Sequence, residues 1–238
     1  MGIAFSAEQA REAVRKDPPL LGHSVDTYKA CWSMLTEDGL FQSPTEAREC
    51  ILRGPAILRF DRDKLVQRLA LLESLGFPDA LRVVLANPRL LTHRHETIEK
   101  AAAWWKQSGL DSVKILTSLP TLIGGSVEML QTKLDFLTSV GMSSADLNNA
   151  ASLFGRSLDG RLRARYFYAL VKHRLARFGS MITMMTVTDA AFLAMLQGGT
   201  RKDAASEAEV ARYRKLVTSA NFVAWRERQE ARIRRDAP

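Results

Sequence analysis

Four prolines in this chain open the same spacing. Pro18, Pro55, Pro88 and Pro120 are each followed two and three residues later by aliphatic residues, and twenty-one residues later by Gly39, Gly76, Gly109 and Gly141. Self-similarity at a fixed offset marks a repeat architecture, in which each copy is one supersecondary unit. A single copy cannot bury its apolar stripe alone, so neighbouring copies must cover it.

The aliphatic pairs are Leu20-Leu21, Ile57-Leu58, Leu90-Leu91 and Leu122-Ile123. Ten residues after the proline come Tyr28, Leu65, Ile98 and Leu130; at plus fourteen come Trp32, Leu69, Ala102 and Leu134. At plus sixteen and seventeen stand Met34-Leu35, Leu71-Leu72, Trp104-Trp105 and Phe136-Leu137. Spacings of three, four and seven place these side chains on one stripe of a long helix. Glycine then ends the helix, because it takes a left-handed cap without a side-chain penalty. Leu40, Phe77, Leu110 and Met142 follow the glycines and are placed to cover the helix end.

A second, shorter apolar stretch lies between each glycine and the next proline, with Pro44, Asp79, Asp111 and Ser143 or Ser144 as starts. The next proline closes it by disfavouring helical geometry in the residue before. The expectation is an all-α solenoid of about five helix-pair repeats with a C-terminal helical extension. The fifth copy is degraded: with Arg165 opposite Lys133, the proline slot holds Ser152 and the glycine slot His173. Losing both predicts a longer helix through roughly residues 159–178. The expected division is an N-terminal segment 1–16, the repeat array 17–178 and the extension 179–238.

Charge is concentrated at one end. Residues 155–238 hold 17 Lys and Arg against 8 Asp and Glu, whereas residues 1–154 hold 17 against 18. Within residues 161–177 stand Arg161, Arg163, Arg165, Lys172, Arg174 and Arg177, with no acid among them. A local field of one sign suits a polyanion, and arginine grips phosphate with a bidentate fork. Cys31 and Cys50 fall in predicted helices and read as buried free thiols. No apolar run is long enough to cross a bilayer, so no membrane partner is expected. The first sixteen residues contain Glu8 and Glu12 and read neither as a secretory signal nor as an acid-poor transit peptide.

The segments NPRLLTHRHETIEKAAAWWKQSGL and LPTLIGGSVEMLQTKLDFLTSVGM carry this frame most completely. They resemble the repeat of the mitochondrial transcription termination factor (mTERF) family, over roughly residues 17–170. SLDGRLRARYFYAL, followed by TVTDAAFLAML, looks like that family's closing segment. The resemblance implies a curved array of helix pairs that binds duplex DNA or structured RNA in a mitochondrion, or alternatively a plastid. It also implies work in transcription, RNA maturation or ribosome assembly. The family's basic residue near the end of the long helix matches Arg68, Lys133 and Arg165, while Cys31 and Ala101 occupy the equivalent slots elsewhere.

The candidate phosphate contacts are therefore Arg161, Arg163, Arg165, Lys172, Arg174 and Arg177, with Lys133, Arg68 and Lys64 as a broken ridge. Lys64 and Arg68 share a helix face, as do Arg161 and Arg165, and a solvated face is the plain alternative. Tyr166 and Tyr168 fall in packing slots, and Phe167 is open between packing and base stacking. His93 and His95 point to different helix faces and lack companions for a metal. Gly124-Gly125 and Gly198-Gly199 lack the lysine and serine of a phosphate loop. No nucleophile stands beside a base, so neither catalysis nor a cofactor is expected. The expected partner is ribosomal or other structured RNA, with double-stranded DNA as the alternative; RNA is favoured because the charge is local. A structural component of a mitochondrial ribosome, contacting ribosomal proteins as well, is the rival. The tail RERQEARIRR is read as an arm ordered on a partner or as a solvated helix.

Overall fold

A computed structural model describes residues 5–37, 41, 43–60, 62–77, 79–86, 90 and 93–236. These residues form helices and turns, and no strand occurs among them. Gly39, Leu40, Pro88 and Leu91, which the repeat frame uses, lie outside the described residues. The chain divides into two compact units, Met1–Val127 and Glu128–Pro238.

The first unit holds α1 (Ala7–Lys16), α2 (Val25–Thr36), α3 (Pro44–Arg53), α4 (Arg62–Ser74), α5 (Ala80–Ala86), α6 (His95–Gln107) and α7 (Ser112–Ser118). Three-ten turns at Pro18–Gly22, Pro55–Arg59 and Pro120–Gly124 separate the helices of successive copies. The repeat is thus the expected helix pair with one added piece: the proline opens a short turn, and the long helix starts after it. The residue before each described proline shows why. Asp17, Gly54 and Leu119 sit near φ −140° and ψ 75–79° or just below (−141°/79°, −141°/79°, −139°/74°), outside the helical region that a following proline ring disfavours. The aliphatic pairs point into the core from these turns, except that Leu21 stands 77% exposed.

Local capping follows the sequence closely. Ser43 accepts from the Glu46 amide with Pro44 in the first turn, and Asp111 accepts from the Lys114 amide at 3.0 Å. Asp79 accepts from the Arg82 amide at 2.8 Å. Gly76 and Gly109 end their helices at φ 91° and 71°, and Phe77 and Leu110 are buried behind them. The segment expected to stand apart, residues 1–16, instead joins the first unit. Lys16 Nζ donates to the Leu52 carbonyl at 2.7 Å, and Arg59 pairs with Asp17 at 2.8 Å.

The second unit comprises α8 (Val127–Ser139), whose first residue lies across the division, α9 (Ser144–Asn148), a π-turn at Leu158–Arg163, α10 (Ala164–Val171), α11 (Met181–Thr186), α12 (Asp189–Leu196), α13 (Glu207–Val217) and α14 (Ala220–Asp236). The predicted long helix over residues 159–178 does not form. It stops where a glycine would stop it, because His173 takes φ 51° itself. The Arg174 amide reaches back to the Ala169 carbonyl at 2.9 Å, as the Met142 amide after Gly141 reaches Leu137 at 3.1 Å. Histidine is among the few residue types enriched in this left-handed region. Ser152, in the proline slot, lies in a three-ten turn at Ala151–Leu153.

The C-terminal helices share the last repeat's core. Phe178 stacks on Phe192 at 5.5 Å, Tyr168 meets Tyr213 edge-on at 5.0 Å, and Phe167 meets Trp225 perpendicularly at 6.1 Å. The boundary expected at residue 178 therefore falls inside a packed unit. The tail is helical in α14, with Phe222, Arg226 and Glu230 buried one turn apart.

Along the long helices the deep positions are plus ten, thirteen and seventeen: Leu65, Ile98 and Leu130 at plus ten (Tyr28 is half-buried), Cys31, Arg68, Ala101 and Lys133 at plus thirteen, and Leu35, Leu72, Trp105 and Leu137 at plus seventeen are buried. Plus fourteen, expected to be core, lies at its margin, since Trp32, Leu69 and Leu134 are half-buried and only Ala102 is covered. We expect Leu130→Ala to cost about 2–5 kcal/mol and Leu134→Ala less than half that amount. Urea unfolding of both variants checks the order; equal losses would contradict this assignment of the helix face.

Candidate nucleic-acid interface

The slot thirteen residues after each proline holds Cys31, Arg68, Ala101, Lys133 and, in the degraded copy, Arg165. Its three basic members were expected to form a surface ridge. They do not: Arg68 is 6%, Lys133 8% and Arg165 0% exposed. Arg68 and Lys133 instead donate to backbone carbonyls of the following copy, and Arg165 to one in α11. Arg68 Nη1 and Nη2 reach the carbonyls of Leu90 (3.3 Å) and His93 (2.9 Å), and Lys133 Nζ reaches that of Phe154 at 2.6 Å. Arg165 Nη1 reaches that of Met184 at 3.0 Å, and even Cys31 Sγ contacts the Ile57 carbonyl at 3.3 Å. Ile57, Leu90 and Phe154 each stand two residues after the proline slot of their copy. Tight turns leave carbonyls that the turn itself does not satisfy, and a buried carbonyl without a donor is costly. Burial lowers the pKa of Lys133 and Arg68, as expected for cations withdrawn from water.

Carboxylates take up part of the C-terminal cluster. Arg165 Nη2 donates to Asp189 Oδ1 at 2.7 Å, and the other oxygen of Asp189 accepts from Arg214 at 2.8 Å. Burial alone would raise the Asp189 carboxyl, but the two arginines outweigh it and hold it below 3.8. Arg163 pairs with Asp159 (3.0 Å) and Glu230 (2.7 Å), and Arg226 of α14 also reaches Asp159 at 3.0 Å. The absence of acids within residues 161–177 therefore did not mean an absence of acidic partners; they come from 67 and 24 residues further along the chain.

Four members of the cluster remain on the surface. Lys172, Arg174 and Arg177 are exposed and Arg161 is half-buried, and no carboxylate pairs with any of them among the described residues. Lys172 Nζ lies 5.7 Å from the Tyr168 ring. Arg174 and Arg177 bracket the three-ten turn Leu175–Arg177, where residues three apart eclipse and project to the same side. Lys64 is exposed on α4, in the first unit, and its neighbour in sequence terms, Arg68, turns inward.

Phe167 is the fully buried aromatic, and Tyr166 and Tyr168 flank it half-buried, so the packing slot falls one residue away from the expected pair. Trp104 and Trp105 are core residues in edge-on contact at 4.8 Å. His93 lies with its ring directly against Gly124, where any β-carbon would collide with it. That contact accounts for a glycine in the pair Gly124-Gly125. Cys31 and Cys50 are free and buried, with burial pushing both thiols up to about 12.

These placements separate stability from binding. Arg68→Gln and Lys133→Gln are expected to lower stability by about 1–3 kcal/mol, through carbonyls left without a donor, while nucleic-acid affinity stays within about twofold. Asp189→Asn strands the fully buried Arg165 and should cost about 3–5 kcal/mol near neutral pH. Because the folded-state pKa of Asp189 is depressed, its contribution is complete above the unfolded value and fades as pH falls through the folded one. The gap between wild type and Asp189→Asn should therefore narrow below pH 3.8. A gap that is flat with pH in acid denaturation would exclude this linkage.

A search of curated proteins finds no match to the chain. The mTERF family profile matches residues 33–193, more than half of its length, and covers copies in both units. Proteins of this family bind nucleic acid in organellar gene expression, in mitochondria or plastids, and are in general not enzymes. With the proline-led copies, the left-handed glycine caps and the helical fold now in view, the chain belongs to the mTERF family.

Proposed function

We propose that the protein binds structured RNA in mitochondrial gene expression, through backbone and shape rather than base readout. The observation that carries this is the unpaired surface group Lys172, Arg174 and Arg177, with Arg161 behind it on the same segment. Arg163 and Arg165, consumed by internal acids, hold the segment in place rather than the ligand. Cations left without partners on a protein surface gain most from phosphates, since binding releases condensed counterions. RNA is favoured over DNA because the unpaired cations are gathered in one short segment rather than spread along the helical array. The aromatics nearby are committed to packing, which favours phosphate contact over base stacking.

A role as a structural component of a mitochondrial ribosome is supported by a different observation. In the first unit Leu21, 77% exposed, lines an apolar hollow with Phe5, Val14, Tyr28 and Leu58, and Val25 on α2 is 65% exposed. Exposed apolar surface of this kind suits a protein neighbour. Co-sedimentation with organellar ribosomal subunits through a high-salt wash favours this role; loss of the protein in the wash favours a free factor.

For RNA binding itself, replacing Lys172, Arg174 and Arg177 together by Gln should make the log–log salt dependence of affinity shallower by about 2.1–2.7, at roughly 0.7–0.9 per phosphate contact. Helicity by circular dichroism should stay at the wild-type level, since none of the three is buried. An unchanged salt slope in a folded variant would remove this group from the interface.

A further inference from the structure

Beyond the six basic residues in residues 161–177, a second exposed basic pair stands at Arg201 and Lys202, more than twenty residues further along. The fold brings the two together. Phe178, buried, stacks on Phe192 of α12 with rings 15° apart, so the chain leaving the Leu175–Arg177 turn is fixed against that helix. At the end of α12 the chain turns at Gly198, whose φ is 105°. Arg177 lies over this turn: a β-carbon on Gly198 would stand 2.8 Å from Arg177 Nη1. Glycine suits the turn through its positive φ, which L side chains rarely adopt; the guanidinium against it is the end of a flexible side chain.

The loop that follows is held in one shape. The Gly199 amide donates to the Ala194 carbonyl at 2.9 Å, and Asp203 Oδ2 accepts from the Thr200 amide at 2.6 Å and its hydroxyl at 2.9 Å. Asp203 is thereby engaged within its own loop, and those Thr200 hydrogen bonds keep its pKa low. Glu207 stands exposed at the start of α13, and Glu209 accepts from Gln197 and Ser206. None of the three acids pairs with Arg201 or Lys202 among the described residues, and both cations are exposed at the loop tip. Three residues span at most about 11 Å of chain, so Arg201 stands within roughly a Debye length of the Gly198–Arg177 contact.

We propose that Arg201 and Lys202 belong to the same RNA-binding face as Lys172, Arg174 and Arg177, so that two loops grip one run of phosphodiester backbone. This rests on the RNA-binding function proposed above and adds to it a second loop, held against the first through Arg177 and Gly198. The face reads backbone rather than base edges: its groups are point charges and forks suited to phosphate.

The test uses the full chain, a hairpin RNA of arbitrary sequence and a potassium chloride series. Arg201→Gln with Lys202→Gln should weaken binding and make the log–log salt slope shallower by about 1.4–1.8, two contacts' worth. Circular dichroism of each variant should match the wild type. If the wild type binds and loses slope with the Lys172, Arg174 and Arg177 changes but not with Arg201 and Lys202, the second loop is excluded while RNA binding stands. If the wild type binds no RNA at any salt, both proposals fall together.

Discussion

A donor buried thirteen residues after the proline slot in four of the five copies, aimed at a backbone carbonyl further along the chain, is the contact around which both units are organised. Apolar stripes alone would let neighbouring helices slide by a turn with little loss, since hydrophobic burial has no direction. A hydrogen bond between an ionised donor and one named carbonyl does have direction. Arg68, Lys133 and Arg165 therefore define the register of a copy against its successor. Their net energetic gain is modest, because withdrawing each cation from water costs several kcal/mol before the hydrogen bonds are counted. What they contribute is uniqueness of packing. Ala101 has no donor to offer, and its copy relies on the buried tryptophan pair instead.

The last repeat carries the heaviest version of this arrangement. Arg165 is wholly buried, so a carbonyl is not enough and a carboxylate is recruited from α12. Asp189 in turn holds Arg214 of α13, and Glu230 of α14 holds Arg163. The C-terminal helices are thus tied to the repeat by the charges that the repeat itself needs neutralised. Aromatic contacts from Tyr168 and Phe167 to Tyr213 and Trp225 run alongside these ion pairs. Ion pairs and rings together make the second unit one core rather than an array with an appendage.

Much of this was legible in the residues. The proline and glycine spacing gives the copies, and the caps at Asp79, Asp111 and Ser143 mark helix starts because their side chains act within three residues. The inward turn of Arg68, Lys133 and Arg165 was not legible. Positions thirteen and fourteen differ by only one residue on the helix, and an arginine beside apolar neighbours reads as an outward charge. Its partner is a backbone carbonyl, which leaves no trace in sequence. The pairing of Arg163 with Glu230 was hidden for a related reason, since charge runs show local neighbours and not ones brought from another helix. At His173 the fold keeps a left-handed cap without glycine, so backbone geometry outlasted the residue that announces it.

The surface cations that remain also have a competing structural use. Lys172 and Arg174 sit just past the C-terminus of α10, where the helix dipole presents partial negative charge and a cation gains about 0.3–1 kcal/mol. That effect fades within the last turn, and it is satisfied by one or two charges. Arg177 lies beyond the three-ten turn and against Gly198, while Arg201 and Lys202 lie past the end of α12, on a loop shaped by Asp203. A helix-end role therefore accounts for the first two cations and leaves the other three without an internal purpose. Holding like charges near one another on fixed loops raises the free energy of the unbound protein. Phosphate is the partner that relieves it.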